Sequence, residues 1–386
     1  MIEDINEIIR YSHRLINKSI YINSTCDCDA LFAAFSKKCR QFGIDFVSIY
    51  STTLFPYLYE INDKVCLVWD EHFWNIYDFF LHLLYKDVND EEDKTLLSRK
   101  AFSLMQLVLS HTLEEYPSLA RAMASNYHKS SCVFGLYNDG FQKPSLIKEA
   151  QDWSIYTRMF AFYHEIAHLE YNKFDPAAKE KARTKFLLFM KRLPDTSDPF
   201  AYVYPHKILE LVEYMNQIIE DNYEIAIEEF FCDLQACSRM LALLNKENGQ
   251  IRENIRMVLA IARNLNGFLA SVNQCTAYWK MYYQNWHMAS DIDQFIHNCN
   301  RQSPKKIVAE QYFRLILLEI TFLWECKEKY DVSFVRIEGN TFMPKAERHI
   351  HSWNYVYETL FYEKKYYEEN DLFENLAQKD ALLQWK

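Results

Sequence analysis

The stretch of this chain whose residue types and spacing could do chemistry is His164-Glu165-Ile166-Ala167-His168. On a helix, residues four apart share one face, so His164 and His168 could close on a single ion. Glu165, beside them, would reach a water on that ion. This is the H-E-x-x-H arrangement, in which two histidines bind Zn²⁺ and the glutamate is the general base of a hydrolysis. Ile155, Met159, Phe160, Phe162, Tyr163, Ile166, Ala167 and Leu169 make the segment apolar on several faces, which predicts a buried helix. Two histidines and a glutamate inside such a helix need partners or a metal, because unpaired polar burial is costly. A pair of core histidines satisfied by ordinary hydrogen bonds is the alternative.

A catalytic zinc keeps three protein ligands and an open position for water. The third ligand is sought in Glu228-Glu229-Phe230-Phe231-Cys232-Asp233-Leu234-Gln235-Ala236. Glu229 and Asp233 are four apart and face the same way on one helix. Glu229 is expected to bind the ion. Asp233 is expected to accept a hydrogen bond from a ligating histidine's other ring nitrogen, which fixes tautomer and orientation. Glu228 is the rival ligand, but its partner four residues on is Cys232, which cannot orient as a carboxylate does. Ile225, Ile227, Phe230, Phe231, Leu234 and Ala236 predict that this helix is buried too.

The two motifs together resemble the gluzincin metallopeptidases, whose pattern is H-E-x-x-H followed by E-x-x-x-D on a later helix. Cys232 before the aspartate and Ala236 after it are similar to the E-x-x-A-D-x-x-A form of cytosolic bacterial branches. A motif near residue 160 after a small sheet resembles the phage-exclusion peptidase family of Lit and its relatives. That resemblance covers the two motif helices and their order. It implies a zincin-like core, a Zn²⁺ cofactor, and cleavage of an intracellular protein in bacterial antiviral defence. The three-histidine metzincin extension is absent, since the chain continues Leu169-Glu170-Tyr171-Asn172-Lys173. Donors for an oxyanion are open among Tyr171, Tyr223, His206 and His287, and His349-Ile350-His351 is read as a solvent-facing pair.

Several elements must position these residues. Apolar spacing predicts a leading helix at Ile2–Ile16, then a strand at Ser19–Ser24 and a helix over Asp29–Phe42 stopped by Gly43. Asp45–Tyr50 and Lys64–Trp69 read as strands, giving a small mixed sheet with a crossover helix. Helical spacing follows at Phe73–Tyr85 and Leu96–Leu113, and Ser131–Tyr137 reads as a strand before the motif helix. Asp175-Pro176 ends that helix, and Lys179–Leu193, Ile208–Ile219, Tyr223–Leu244, Ile251–Tyr283 and Ala309–Lys327 read as helices, with Gly249 a boundary. Val332–Ile337 reads as β-like, before an aromatic, charged C-terminal helix. The expected fold is α+β and mostly helical. Residues 1–245 would form a zincin-like metallopeptidase domain, with its sheet in 19–137 and zinc helices at 151–173 and 223–244. Residues 246–386 would form a helical region that recognises the substrate or a regulatory trigger.

Composition narrows the function classes. A chain of 386 residues, 49% hydrophobic and 16% aromatic, is not a disordered protein. Its net charge of −10, with acidic residues spread throughout, argues against nucleic acid as a partner. Only six glycines occur, in neither a G-x-G-x-x-G nor a P-loop pattern, which argues against nucleotide chemistry. Met1-Ile2-Glu3-Asp4 opens without a basic-then-apolar signal, so the expected setting is the reducing cytoplasm, with ten free cysteines. Cys26-Asp27-Cys28 lacks a second pair at zinc-finger spacing. The longest apolar run, Phe313–Trp324, contains Arg314 and Glu319 and is too short and polar to span a bilayer. Two other readings are kept: a catalytically silent zincin-fold interaction module, and a zinc hydrolase of a small amide.

Overall fold

The computed structural model describes residues 21–22, 30–50, 56–61, 64–70, 73–74, 77–78, 81, 109–110, 120, 123, 148–192, 208–285 and 304–331. The chain divides into two compact units: Met1–Ser154 with Ser271–Arg301 and Glu347–Lys386, and Ile155–Ala270 with Gln302–Ala346.

In the first unit, β1 (Tyr21–Ile22), β2 (Asp45–Tyr50), β3 (Tyr57–Ile61) and β4 (Lys64–Asp70) form a mixed sheet in the order β1-β2-β4-β3. The pair β2–β4 is parallel, with Val47 opposite Val68, and the outer pairs are antiparallel. Helix α1 (Ala30–Gln41) lies between β1 and β2 in sequence, and those strands pair antiparallel. Gly43 follows α1 at φ 73, the left-handed conformation that ends helices and that glycine adopts without strain. Phe32 and Phe35 of α1 pack on Phe46, and Phe35 meets Trp69, whose ring stacks on Trp74 at 5.1 Å. Strand β3 is not expected from the sequence. Its Tyr57-Leu58-Tyr59 aromatic alternation suits a pleated ladder, and Ile61 pairs with Lys64. Phe73, Trp74, Tyr77 and Leu81 are helical and buried, as the spacing predicts.

The second unit is helical. It takes most of α2 (Lys148–Asn172), with α3 (Pro176–Arg192), α4 (Ile208–Asn248), most of α5 (Ile251–Asn285), and α6 (Pro304–Tyr330). Asp175 Oδ1 accepts from the Ala178 amide at 2.8 Å and Pro176 opens the first turn, so this pair caps α3. The spacing predicts two helices within 208–244, and the structure has one of 41 residues. Glu220-Asp221-Asn222 between them contains no glycine or proline. Each costs well under ~1 kcal/mol of helix propensity, too little by itself to interrupt a helix. Gly249, at φ 69, separates α4 from α5.

The core holds Phe160, Phe162, Ile166 and Ala167 of α2, Ile227, Phe230, Cys232 and Ala236 of α4, Val258 and Ile261 of α5, and Leu317, Leu318 and Phe322 of α6. Ile155 and Ile225, expected inside, are 43% and 60% exposed. A helix uses one apolar stripe, and these two lie off it. Among the described residues no helix is long and apolar enough to cross a membrane.

Candidate metal centre

Helices α2 and α4 bring their motif residues to one place in the second unit. The Nε2 atoms of His164 and His168 lie 3.1 Å apart. Glu229 Oε2 is 3.5 Å from the first, and Glu229 Oε1 is 3.6 Å from the second. One ligand atom from each residue can be chosen so that all lie within 4.8 Å of one another. Bonds of ~2.1 Å at a tetrahedral angle separate donors by roughly 3.4 Å, so the triangle has dimensions that could hold a metal ion.

Both imidazoles are held from behind. His164 Nδ1 lies 2.9 Å from Asp233 Oδ1, and His168 Nδ1 lies 2.7 Å from Glu228 Oε1. Glu228 hydrogen-bonds His168 Nδ1, which leaves that ring's Nε2 to face the centre, whereas Asp233 meets His164 as a close ion-pair contact without hydrogen-bond alignment at Nδ1. Glu228 is therefore placed as a partner of His168 rather than as a rival to Glu229. Cys232 is fully buried between these carboxylates, and burial together with Glu229 drives its thiol far above the usual range. A thiolate ligand is disfavoured there.

A further residue joins the site from α6. Arg314 places Nη1 2.7 Å from Glu229 Oε2, and donates from Nε and Nη2 to Asp233 at 2.5 and 2.9 Å. In the sequence Arg314 stands out only as a charge interrupting an apolar run. A guanidinium among Leu317, Leu318 and Phe322 is the available signal, since a charge in such a helix needs a partner.

These groups set one another's protonation. Burial opposes charge on His164, but Asp233 and Glu229 outweigh it and push the imidazole up to about 10. For Glu229 and Asp233, burial opposes ionisation and Arg314 overcomes it, with His164 adding to the effect, so Glu229 is held well below the usual carboxylate range and Asp233 is lowered too. Glu165 is the exception: burial raises its carboxyl, and the charges of His164, His168 and Arg314 only partly offset that. A carboxyl lifted toward neutrality is suited to accepting and returning a proton. Three ionised carboxylates (Glu228, Glu229 and Asp233) and the proton-accepting Glu165 surround Arg314 and the protonated His164. The excess negative charge and the converging donors fit a divalent ion.

Of the oxyanion donors considered, Tyr171 is buried against Phe174 and Phe231, with Lys179 over its ring. The Tyr223 backbone lies in α4. His206, His287, His349, His351, Cys26 and Cys28 lie outside the described residues, as do the expected segments Ile2–Ile16, Ser131–Tyr137 and Val332–Ile337. Comparison with protein-family models, with curated proteins and with solved structures returned no match.

Proposed function

We propose that this chain is a zinc-dependent endopeptidase of gluzincin type that hydrolyses a peptide bond in another protein. The observation that carries the reading is the triangle of His164 Nε2, His168 Nε2 and a Glu229 oxygen, with each imidazole backed by its own carboxylate. His164, His168 and Glu229 would hold the ion, and a His₂Glu set is characteristic of catalytic zinc in peptidases. When bound, such an ion makes a water nucleophilic near neutral pH and polarises a carbonyl.

The chain's own residues do the rest. Asp233 and Glu228 fix the two imidazole rings. Glu165 accepts the water's proton on its carboxylate and returns it to the leaving nitrogen, the role its raised affinity for protons supports. By resemblance of the motif pair, the substrate would be an intracellular protein and the setting cytoplasmic antiviral defence in a bacterium.

The test is Glu165→Gln. The amide is nearly isosteric and is not among the ligands, so metal content and fold should persist. Loss of the proton acceptor should lower hydrolysis by ~10²–10⁴-fold. Wild type and variant are incubated with bacterial lysate and new protein termini are read by mass spectrometry. Equal cleavage by both would overturn the enzyme reading. If no cleavage occurs and a cellular effect is equal in both, the silent interaction module replaces it.

A further inference from the structure

Arg314 stands on α6, 81 positions along the chain from Asp233 and 85 from Glu229, yet its guanidinium engages both carboxylates. Asp233 is 2% exposed and receives two of its nitrogens. The third nitrogen binds the same Glu229 oxygen that lies 3.5 Å from His164 Nε2. The arginine and an incoming ion would therefore share Glu229 as an acceptor.

The rest of α6 shows what this contact does for the unit. Glu319 accepts from Nε and Nη2 of Arg263 on α5, and Glu325 accepts from Lys185 on α3. Between these charged links, Leu317, Leu318, Phe322 and Leu323 are buried. Arg314 is the link that ties α6 to α4 at the centre itself. Without it, Asp233 and Glu229 would have no arginine or lysine partner among the described residues. Removing one partner of a buried pair leaves an uncompensated charge, which costs far more than the intact pair contributes.

We propose that Arg314 is a resident cation of the centre. It holds Glu229 and Asp233 in ligand-ready positions before any ion arrives, and it keeps α4 and α6 assembled in the metal-free protein. Because it occupies one side of Glu229, it also moderates how tightly a divalent ion is held. The part concerning the ion rests on the metal-centre reading above; the part concerning the fold rests on the ion pairs alone. Arg314 acts here as a positioning residue.

Thermal unfolding of the full chain tests this, after chelation and again with saturating Zn²⁺, for wild type, Arg314→Met and Arg314→Lys. Metal-free Arg314→Met should melt ~5–10 °C below wild type, with Arg314→Lys between them. Added Zn²⁺ should raise the melting temperature of Arg314→Met by more than it raises that of wild type, because the ion supplies the missing charge. Combining Arg314→Met with Glu229→Gln and Asp233→Asn should remove most of the penalty, since nothing then remains to compensate. That comparison stands even where Arg314→Met alone does not fold. A metal-free Arg314→Met that melts with wild type overturns the proposal, as does a penalty unchanged by neutralising both acceptors. If Zn²⁺ shifts no variant and not wild type, the metal-centre reading falls and the ion part falls with it. The carboxylate combination then still decides the part concerning the fold.

Discussion

The imidazoles of His164 and His168 are useful to a metal only if Nε2 is free and aimed, and that depends on what stands behind them. Asp233 does this for His164 and Glu228 for His168. Losing such a partner weakens metal binding by ~10–100-fold while leaving the ligands themselves in place. Glu228→Ala and Asp233→Asn should therefore each lower zinc affinity within that range, measured by competition against a chromophoric chelator. Glu224→Ala, one turn earlier on an exposed position, should leave it unchanged. Complete loss of binding in Glu228→Ala would mean that Glu228 is a ligand and that Glu229 is not. The pairing of Glu229 with Asp233 is legible in the sequence because both sit on one helix at a fixed offset. The pairing of His168 with Glu228 is not, because it depends on how α2 and α4 cross, which spacing along α4 alone does not specify. Arg314 is less legible still: its contacts to Asp233 span 81 positions of chain.

At the scale of elements, periodicity is a local signal and is informative where local forces decide. Strand β2 runs over the expected Asp45–Tyr50, and α1 ends before Gly43 as its left-handed φ requires. The width of the apolar stripe is not legible in the same way, because a helix apolar at most positions does not say which residue faces water. Ile225 and Ile227 make this measurable. Ile227 is fully buried and its truncation to alanine should cost ~2–5 kcal/mol by leaving a cavity. Ile225 is 60% exposed, and Ile225→Lys should change stability by no more than ~0.5 kcal/mol. Denaturant midpoints of the two variants check both values. Comparable losses would mean that α4 is rotated from the position described, and the Glu228 and Glu229 roles would have to be exchanged with it. Strand β3 and the unbroken α4 escape the sequence for opposite reasons. The first is a short aromatic run whose pairing with β4 is not written in its own periodicity. The second is a helix whose polar middle resembles a break although it contains neither glycine nor proline.

For the molecule as a whole, the governing fact is electrostatic: a chain of net charge −10 concentrates four carboxylates around one arginine and two imidazoles in the second unit. Such a field attracts cations and weakens as salt screens it. In the metal-free protein the nearest available cation is a proton, and His164 holds it, its imidazole pushed up to about 10 by Asp233 and Glu229 against the effect of burial. The sign of the stability effect follows from that direction. A group whose folded value is raised contributes stability that is fully present below its ordinary value of 6.5 and lost as pH rises through about 10. Metal-free protein should therefore lose stability across that window. An ion at Nε2 requires neutral histidine, so loading must expel the proton. Zinc affinity should rise roughly tenfold per pH unit between about pH 6 and pH 8, with about one proton released per ion. Calorimetric titration in two buffers of different ionisation enthalpy, repeated across that range, counts the proton directly. The same titration on Asp233→Asn should show a shallower pH dependence, because the carboxylate that keeps His164 charged has been removed. An affinity that does not change with pH in the wild type would mean that His164 is already neutral before the ion arrives, and that Asp233 and Glu229 do not hold a proton between them in the metal-free centre.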